Sequence, residues 1–163
     1  MNGSGVIAVL ELSRLFSNLY KNQNTKGNYN FVFVLTSGGR FNYQGTKNWM
    51  KKLPLSFLES LEFSLCLEGL LGKNLFLHLS KKTENKEIVR LYKIFQKTAS
   101  DLNIPFQVVF KKINPGSNEI NWEHEVLSFK KLESATLSHF ENSKFQFSKT
   151  STFEREYEIK SFF

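Results

Sequence analysis

Residues 63-FSLCLEGLLGKNLFLHL-79 contain two short apolar runs, 63–67 and 75–79, on either side of a glycine-containing turn. Each run has the length of a strand, carries no acidic or strongly basic residue and is rich in Leu and Phe. Such runs predict strands that are buried on both faces of a sheet. The intervening residues 72–74 (GKN) predict that the second strand pairs with the first.

Three more strands are predicted outside this stretch. Residues 29–35 (YNFVFVL) form a continuous β-branched and aromatic run, which is typical of a strand buried on both faces. Residues 106–110 follow Pro105 and predict another strand, and residues 135–137 predict the last one.

Helices are predicted between these strands. Ser4 is expected to cap a first helix that is apolar over much of its circumference, packs between layers and ends in the polar residues 22–27. The other helices are expected at residues 42–51, 86–102 and 122–131, with a last one beginning at 153–163.

Strands that alternate with helices predict a three-layer α/β/α sandwich with a mostly parallel mixed sheet. In such sheets, functional groups gather beyond the carboxyl ends of the strands. This rule directs attention to residues 36–41, 68–72 and 138–151.

The chain has 163 residues and a formal net charge of +7. This balance raises the possibility of nucleic-acid binding, driven by charge and weakened steeply by salt. The basic residues, however, occur as pairs at the edges of apolar segments and not along one helix face, which favours a solvated surface. The pairs are Lys51-Lys52, Lys81-Lys82, Lys111-Lys112 and Lys130-Lys131.

The single cysteine, Cys66, lies in the apolar run 63–67 and is expected to be a buried thiol. One cysteine excludes an internal disulfide and a four-cysteine zinc site. No stretch approaches the roughly 18 apolar residues that a membrane-spanning helix needs. Membrane association would therefore require segments outside this chain.

Three segments resemble the zinc aminopeptidase and glutaminyl cyclase family. Residues 2–11 are similar to its Asn-x-Ser-Gly-Val segment, which leads into a helix with Leu-Glu. Residues 31–46 are similar to its strand and acidic turn, followed by a Gly-Thr pair, and residues 65–68 to its strand that ends in an Asp. The resemblance implies the fold predicted above, here as a partial domain at residues 1–163 that lacks its first strands and last helix.

Within this superfamily, the match is closer to the nicastrin-related nicalin family. The segments that carry it are 5-GVIAVLELSRLFSNLY-20, 37-SGGRFNYQGT-46, 65-LCLE-68, 122-WEHE-125 and 136-TLSH-139. The string at residues 37–46 is the most specific of these.

The resemblance implies that the two-zinc peptidase chemistry is lost. Met1 stands at the family's bridging Asp, Gly39 at its general base and Arg40 at the adjacent ligand. Gly39 cannot accept a proton, and Arg40 places a permanent cation where a metal dication should sit. Glu68 keeps a carboxylate, and Thr150 stands near the last ligand His. We therefore expect no catalytic residue, no metal and no cofactor.

The alternative is an active zinc aminopeptidase whose ligands align elsewhere. Its candidates would include the three histidines. His78 is expected at the surface or in strand packing, and His124 in a structural position. His139 is expected to pair with Glu68 or Glu141, with metal binding as the other possibility.

Residues 36–41 (TSGGRF) carry two further possibilities. Ser37 follows a predicted strand, but the Gly-x-Ser-x-Gly pattern of a nucleophile elbow is absent. The glycines Gly38 and Gly39 could bind an anion through free amides, or could serve a tight turn with positive φ, which we favour.

The resemblance implies a scaffold role in the lumen of the endoplasmic reticulum. Nicalin-like proteins associate with the nodal modulator protein and a small multi-span membrane protein, in a complex implicated in multi-pass membrane-protein biogenesis at the translocon. Nicalin is also implicated in modulating Nodal signalling. The candidate partner surface consists of Arg40, Phe41, Tyr43, Lys47 and Trp49.

Overall fold

A computed structural model describes residues 2–114 and 116–143. In this part of the chain three helices come first, two strands follow, and helices then alternate with single strands. The helices are α1 (Gly3–Tyr20), α2 (Gln44–Lys52), α3 (Leu55–Glu59), α4 (Lys86–Asp101) and α5 (Glu123–Ser128). The strands are β1 (Ser64–Leu67), β2 (Leu75–Leu79), β3 (Phe106–Phe110) and β4 (Ser134–Ser138), and a 3-10 turn covers Gly39–Phe41.

The four strands form one mixed sheet in the order β1-β4-β2-β3. β1 runs parallel to β4 and β2 runs parallel to β3, whereas β2 and β4 are antiparallel. The predicted pairing of β1 with β2 is wrong, because β4 lies between them. Residues 68–74 can make this connection because they need to cross only two strand spacings, about 10 Å.

Helices cover both faces of the sheet, which confirms the α/β sandwich. Leu77, Leu79 and Ala135 form one buried cluster, against which Tyr92 and Phe95 of α4 pack. A second cluster on the other side is made by Met50 of α2, Cys66 of β1 and Leu127 of α5. Leu65 of β1 packs on the first cluster and the next residue, Cys66, belongs to the second, as the strand period of two requires.

Residues 29–35 do not form a strand, and that prediction is wrong. Their backbone enters no ladder of the described sheet. Phe31 is 47% exposed and Val32 55%. The apolar pattern gives the segment the side chains of a strand, but a strand also needs a partner for its amides and carbonyls.

The start and packing of α1 also differ from expectation. Asn2, not Ser4, is the N-cap, because its Oδ1 accepts from the Gly5 amide at 3.1 Å. The helix is not enclosed between layers, and Ile7 and Leu10 are 63% and 54% exposed. Its apolar side chains instead meet the segment 29–35, where the Phe16 and Phe31 ring centroids lie 4.0 Å apart.

The remaining elements lie close to their predicted places. α4 and β3 match the expected residues, and β4 extends the predicted strand by one residue at each end. α3 was not anticipated and begins directly after Pro54, a residue compatible with helix starts. Among the described helices, none combines the length and apolarity needed to cross a bilayer.

Candidate functional site

The loop that follows β1 is held by the start of α1 and by the end of β4, where the His139 amide donates to the Gly69 carbonyl at 2.8 Å. Asn2 lies against the carboxyl end of β1, donating its Nδ2 to the Leu67 carbonyl at 2.6 Å and accepting from the Gly69 amide at 2.9 Å. Ser4 accepts from the Leu70 amide at 2.9 Å. The side chains at the start of α1 therefore satisfy the backbone of the loop that follows β1.

This contact requires glycine at position 5. A Cβ added to Gly5 would lie 2.2 Å from the Leu67 carbonyl oxygen, far inside van der Waals contact. Here the Asn-Gly-Ser-Gly sequence acts as a packing device, since Gly5 lets α1 approach the strand and Asn2 bonds to it.

The Glu68 carboxylate points into the protein. The residue is only 3% exposed. Its Oε2 accepts from the Tyr43 hydroxyl at 3.1 Å, and its Oε1 accepts from the Glu123 amide at 3.1 Å. Glu123 is the first residue of α5, whose first amides have no partner inside the helix. Glu68 thus caps α5 and ties it to the turn that carries Tyr43.

Burial and neighbouring charge change the acidity of this group. Burial raises the pKa of the Glu68 carboxyl to about 8, and the nearby Glu123 carboxylate adds to the rise. Burial also raises the pKa of the Tyr43 hydroxyl, with the Glu68 charge as the next cause. The hydrogen bonds from the Glu123 amide and the Tyr43 hydroxyl act in the opposite direction and lower the Glu68 pKa, but burial outweighs them.

A second carboxylate beside Glu68 is held by threonines. The Glu123 Oε1 accepts from Thr36 at 2.9 Å and also from Thr46. The two hydroxyl oxygens are themselves 2.9 Å apart. Sequence analysis noted Thr46 only as part of a Gly-Thr pair and missed its acceptor, because residues 46 and 123 are distant in sequence.

Gly39 and Arg40, which stand at the lost base and ligand positions, lie on the exposed 3-10 turn. Gly38 has φ 76°, which confirms the predicted tight turn with a left-handed glycine. A Cβ at Gly39 would meet only the Tyr43 ring, at 4.0 Å. A larger side chain would therefore fit at position 39. Gly39 simply has no carboxylate with which to act as a general base.

Two buried histidines serve packing. His78 is 3% exposed, with its Nε2 2.8 Å from the Phe140 carbonyl and its ring stacked at 4.1 Å on Trp122. His124 is 2% exposed, and its Nδ1 lies 2.8 Å from the Thr136 hydroxyl. These contacts confirm the strand-packing interpretation of His78 and the structural interpretation of His124.

His139 lies against the loop that follows β1. Its Nδ1 is hydrogen-bonded with the Gly69 carbonyl. A Cβ at Gly72 would come within 2.7 Å of the His139 side chain. The ring thus contacts a backbone carbonyl and the Phe140 ring, whose centroid lies 3.7 Å away. Its pairing with Glu68 or Glu141 stays a prediction.

The candidate partner surface is only partly on the outside. Phe41 is 79% exposed, and Arg40 is exposed beside it. Tyr43 is 4% exposed and bonded to Glu68, so its inclusion was wrong. Lys47 is half-buried, and Trp49 is half-buried against the cluster around Met50.

The chemistry open to this site is narrow. Within residues 2–114 and 116–143, no group of three His, Cys, Asp or Glu side chains is placed to hold a metal ion. Met1 and Thr150 lie outside the described residues. Glu68, the aligned carboxylate that is described, is occupied by two protein donors. The arrangement joins α1, α2 and α5 to the end of β1.

The sequence of the chain is similar to those of several known proteins. No protein-family model matches it. It is 41% identical to BOS complex subunit ncln of Danio rerio over 86% of the chain and 26% of that protein. It is 38% identical to BOS complex subunit NCLN of Homo sapiens, over 86% of the chain and 27% of that protein. For nicalin of Caenorhabditis elegans the identity is 30%, over 84% of the chain and 28% of that protein.

The chain spans only about a quarter of the length of these relatives. Each of these matches nevertheless covers 84% or 86% of the chain. The chain is homologous to one segment of these proteins, which are named nicalin or BOS complex subunit NCLN.

Proposed function

We propose that this chain is a non-catalytic scaffold segment of a nicalin-like subunit, acting in a membrane-protein complex of the endoplasmic reticulum with this domain in the lumen. Its partners there would be the nodal modulator protein and a small multi-span membrane protein. The complex would serve multi-pass membrane-protein biogenesis at the translocon, and the subunit would modulate Nodal signalling.

The observation that carries this proposal is the state of Glu68. A metal ligand must offer a carboxylate to a site that keeps an open position for water. Glu68 is buried, both of its oxygens accept from protein donors, and its pKa of about 8 favours the neutral acid. Gly39 and Arg40 stand at the aligned base and ligand positions. The residues of this site can hold neighbouring elements together, but they do not supply the groups that hydrolysis needs.

The exposed apolar surface supports a role in assembly. α1 and the segment 29–35 lie against each other and expose large side chains that soluble monomers rarely leave open together. The exposed fractions are Val6 41%, Ile7 63%, Leu10 54%, Leu15 43%, Leu19 47%, Tyr29 56%, Phe31 47%, Val32 55%, Phe33 40% and Leu35 56%.

The first test of the proposal is zinc content. The purified chain is loaded with zinc, dialysed against a weak chelator and measured by elemental analysis. We expect only traces of zinc, because no group of three His, Cys, Asp or Glu side chains among the described residues is placed to hold a metal ion. A Gly39→Glu, Arg40→Glu double variant, which restores the two lost carboxylates, should also remain metal-poor, because Glu68 still faces inward.

Tightly held stoichiometric zinc in the unmodified chain, together with release of N-terminal residues from peptides, would overturn the non-catalytic reading and favour the aminopeptidase alternative. The partner proposal has its own test. The tagged full-length protein is purified from solubilised membranes of the endoplasmic reticulum, and the nodal modulator protein should co-purify in stoichiometric amount. Recovery of the full-length protein without it would contradict that part.

A further inference from the structure

α4 carries four basic side chains in one straight row, which the sequence pairs did not reveal. Lys86, Arg90, Lys93 and Lys97 are spaced four, three and four residues apart. At 100° per residue they fall within an arc of about 60°, and at 1.5 Å per residue the row is about 16 Å long. We call these four residues the α4 basic row. The expectation that the basic residues avoid a common helix face is therefore wrong for this helix.

The row points away from the protein. The opposite side of α4 holds the buried residues Ile88 and Ala99, which are 4% and 6% exposed. Tyr92 and Phe95 pack on the same side against the sheet core. All four members of the row are exposed. The two ion pairs found among the described residues, Arg14 with Glu11 and Lys81 with Glu133, lie elsewhere.

One more cation, Lys82, lies four residues before the row, whereas the Lys111 charge acts on His78 and Glu125, on the side of the sheet that α5 covers. Lys111 and Lys112 follow β3, and the Lys111 amide donates to the Leu79 carbonyl at 2.9 Å. This bond brings the end of β3 beside the segment that leads from β2 into α4. Lys82 belongs to that segment, with its Nζ 5.7 Å from the Phe110 ring centroid.

Acidic residues near the row are fewer than the cations. Glu84 lines a shallow groove of about 290 Å³ together with Lys86, Arg90 and Lys93. Glu87 lies about a quarter turn away from the row, and Asp101 lies at its far end. The cations of the row therefore outnumber the nearby carboxylates, of which Asp101 lies one turn beyond Lys97.

Exposed apolar side chains accompany these cations. Ile94 is 50% exposed and projects from α4 beside the row, and Phe110 is 47% exposed near Lys82. An aliphatic side chain gains little from a phosphodiester backbone, whereas the headgroup and acyl boundary of a bilayer accepts both cations and apolar groups. A single convex row also suits a flat anionic surface.

We propose that the exposed face of α4 docks on the anionic phospholipid headgroups of a membrane surface, with the α4 basic row as the main contact. Each Lys or Arg close to such a surface strengthens binding about fivefold. Four cations together contribute on the order of several hundredfold. Screening by salt weakens this contact, because the cations remain next to water.

The test is flotation of the full chain with vesicles of phosphatidylcholine containing phosphatidylserine, and with vesicles of phosphatidylcholine alone. The variant under test replaces the row by Lys86→Gln, Arg90→Gln, Lys93→Gln and Lys97→Gln. The matched control carries Lys26→Gln, Lys51→Gln, Lys52→Gln and Lys130→Gln, which remove the same charge from exposed sites elsewhere. Circular dichroism and urea unfolding verify that both variants fold like the parent chain.

We expect the parent chain and the control to float with anionic vesicles, and the row variant to lose on the order of a hundredfold or more in partition coefficient. Raising the salt concentration to about 0.5 M should release the parent chain. Equal losses in both variants would mean that net charge alone acts, and equal binding to neutral vesicles would mean that the apolar surface acts. Each of these results overturns the proposal. So does a row-dependent capture of a single-stranded RNA oligonucleotide with no binding to anionic vesicles.

Discussion

β2 and the segment 29–35 are both apolar runs, but they lie in opposite environments. β2 is hydrogen-bonded on both sides, to β4 and to β3, and its Leu77 is fully buried. The segment 29–35 has no ladder partner in the described structure, and its Leu35 is 56% exposed. The same kind of side chain therefore stabilises the fold in one place and remains an open surface in the other. Apolar character makes a strand possible, and a partner on each side makes it a core strand.

The largest effect should come from the same truncation made in both regions. Leu77→Ala removes a side chain from a closed cluster and should lower the free energy of unfolding by about 2–5 kcal/mol. Leu35→Ala removes exposed surface and should change it by less than about 0.5 kcal/mol. Urea denaturation of the two variants measures the difference. Similar losses would show that residues 29–35 are packed in solution, which would break the comparison.

A smaller effect is expected at the turn that joins the open segment to the packed part of the molecule. A Cβ at Gly45 would lie 2.1 Å from the Ser37 carbonyl oxygen, so Gly45→Ala should cost about 1–3 kcal/mol through a forced backbone shift. Gly39→Ala, in the 3-10 turn that precedes α2, enters open space and should be nearly neutral. Thermal unfolding of both variants tests this pair. A neutral Gly45→Ala would show that the turn can shift freely.

The smallest effect is the change in the free energy of unfolding per pH unit, which the buried Glu68 carboxyl should cause. The Glu68 carboxyl has a folded pKa of about 8, against about 4.5 when unfolded, so the folded state holds a proton that the unfolded state releases. The stability that comes from this proton is fully present below about pH 4.5 and is lost as pH rises through 8. Between pH 7 and 8 it should fall by up to about 1.4 kcal/mol per pH unit.

Glu68→Gln should flatten this dependence, because the amide cannot lose a proton. Glu62→Gln, an exposed site just before β1, should retain the slope of the parent chain. Denaturant midpoints measured from pH 7 to 8 compare the three proteins. The range avoids lower pH, where burial of neutral His124, whose pKa is lowered to about 3, produces a slope of opposite sign. An unchanged slope in Glu68→Gln would show that the carboxyl is ionised in the fold.

The sequence predicted where the candidate site lies, but not how its side chains are hydrogen-bonded. The rule that function gathers at the carboxyl ends of strands led to residues 36–41 and 68–72. Segment 68–72 follows β1, and Thr36 is linked to it through Glu123, whose amide donates to Glu68. The resemblance identified Glu68 as the retained carboxylate. Nothing in the order of residues indicated that Tyr43 would be buried as its donor, because that bond joins residues 25 positions apart.

The sequence by itself determined the elements whose signal is local. The periodicity of residues 86–102 predicted α4, and the runs 63–67, 75–79, 106–110 and 135–137 predicted the four strands of the described sheet. Sequence also determined kinship, through motifs such as 37-SGGRFNYQGT-46. The straightness of the α4 basic row could have been read from its 4-3-4 spacing once the helix was assigned.

Only the tertiary structure decided the contacts between distant residues. It placed β4 between β1 and β2, turned Glu68 inward onto α5 and left residues 29–35 outside the sheet. The physical reason is that a strand is completed by partners from elsewhere in the chain, and a buried carboxyl by donors that the fold brings to it. Local composition fixes which side chains are offered, and long-range packing fixes which of them are paired, buried or left open.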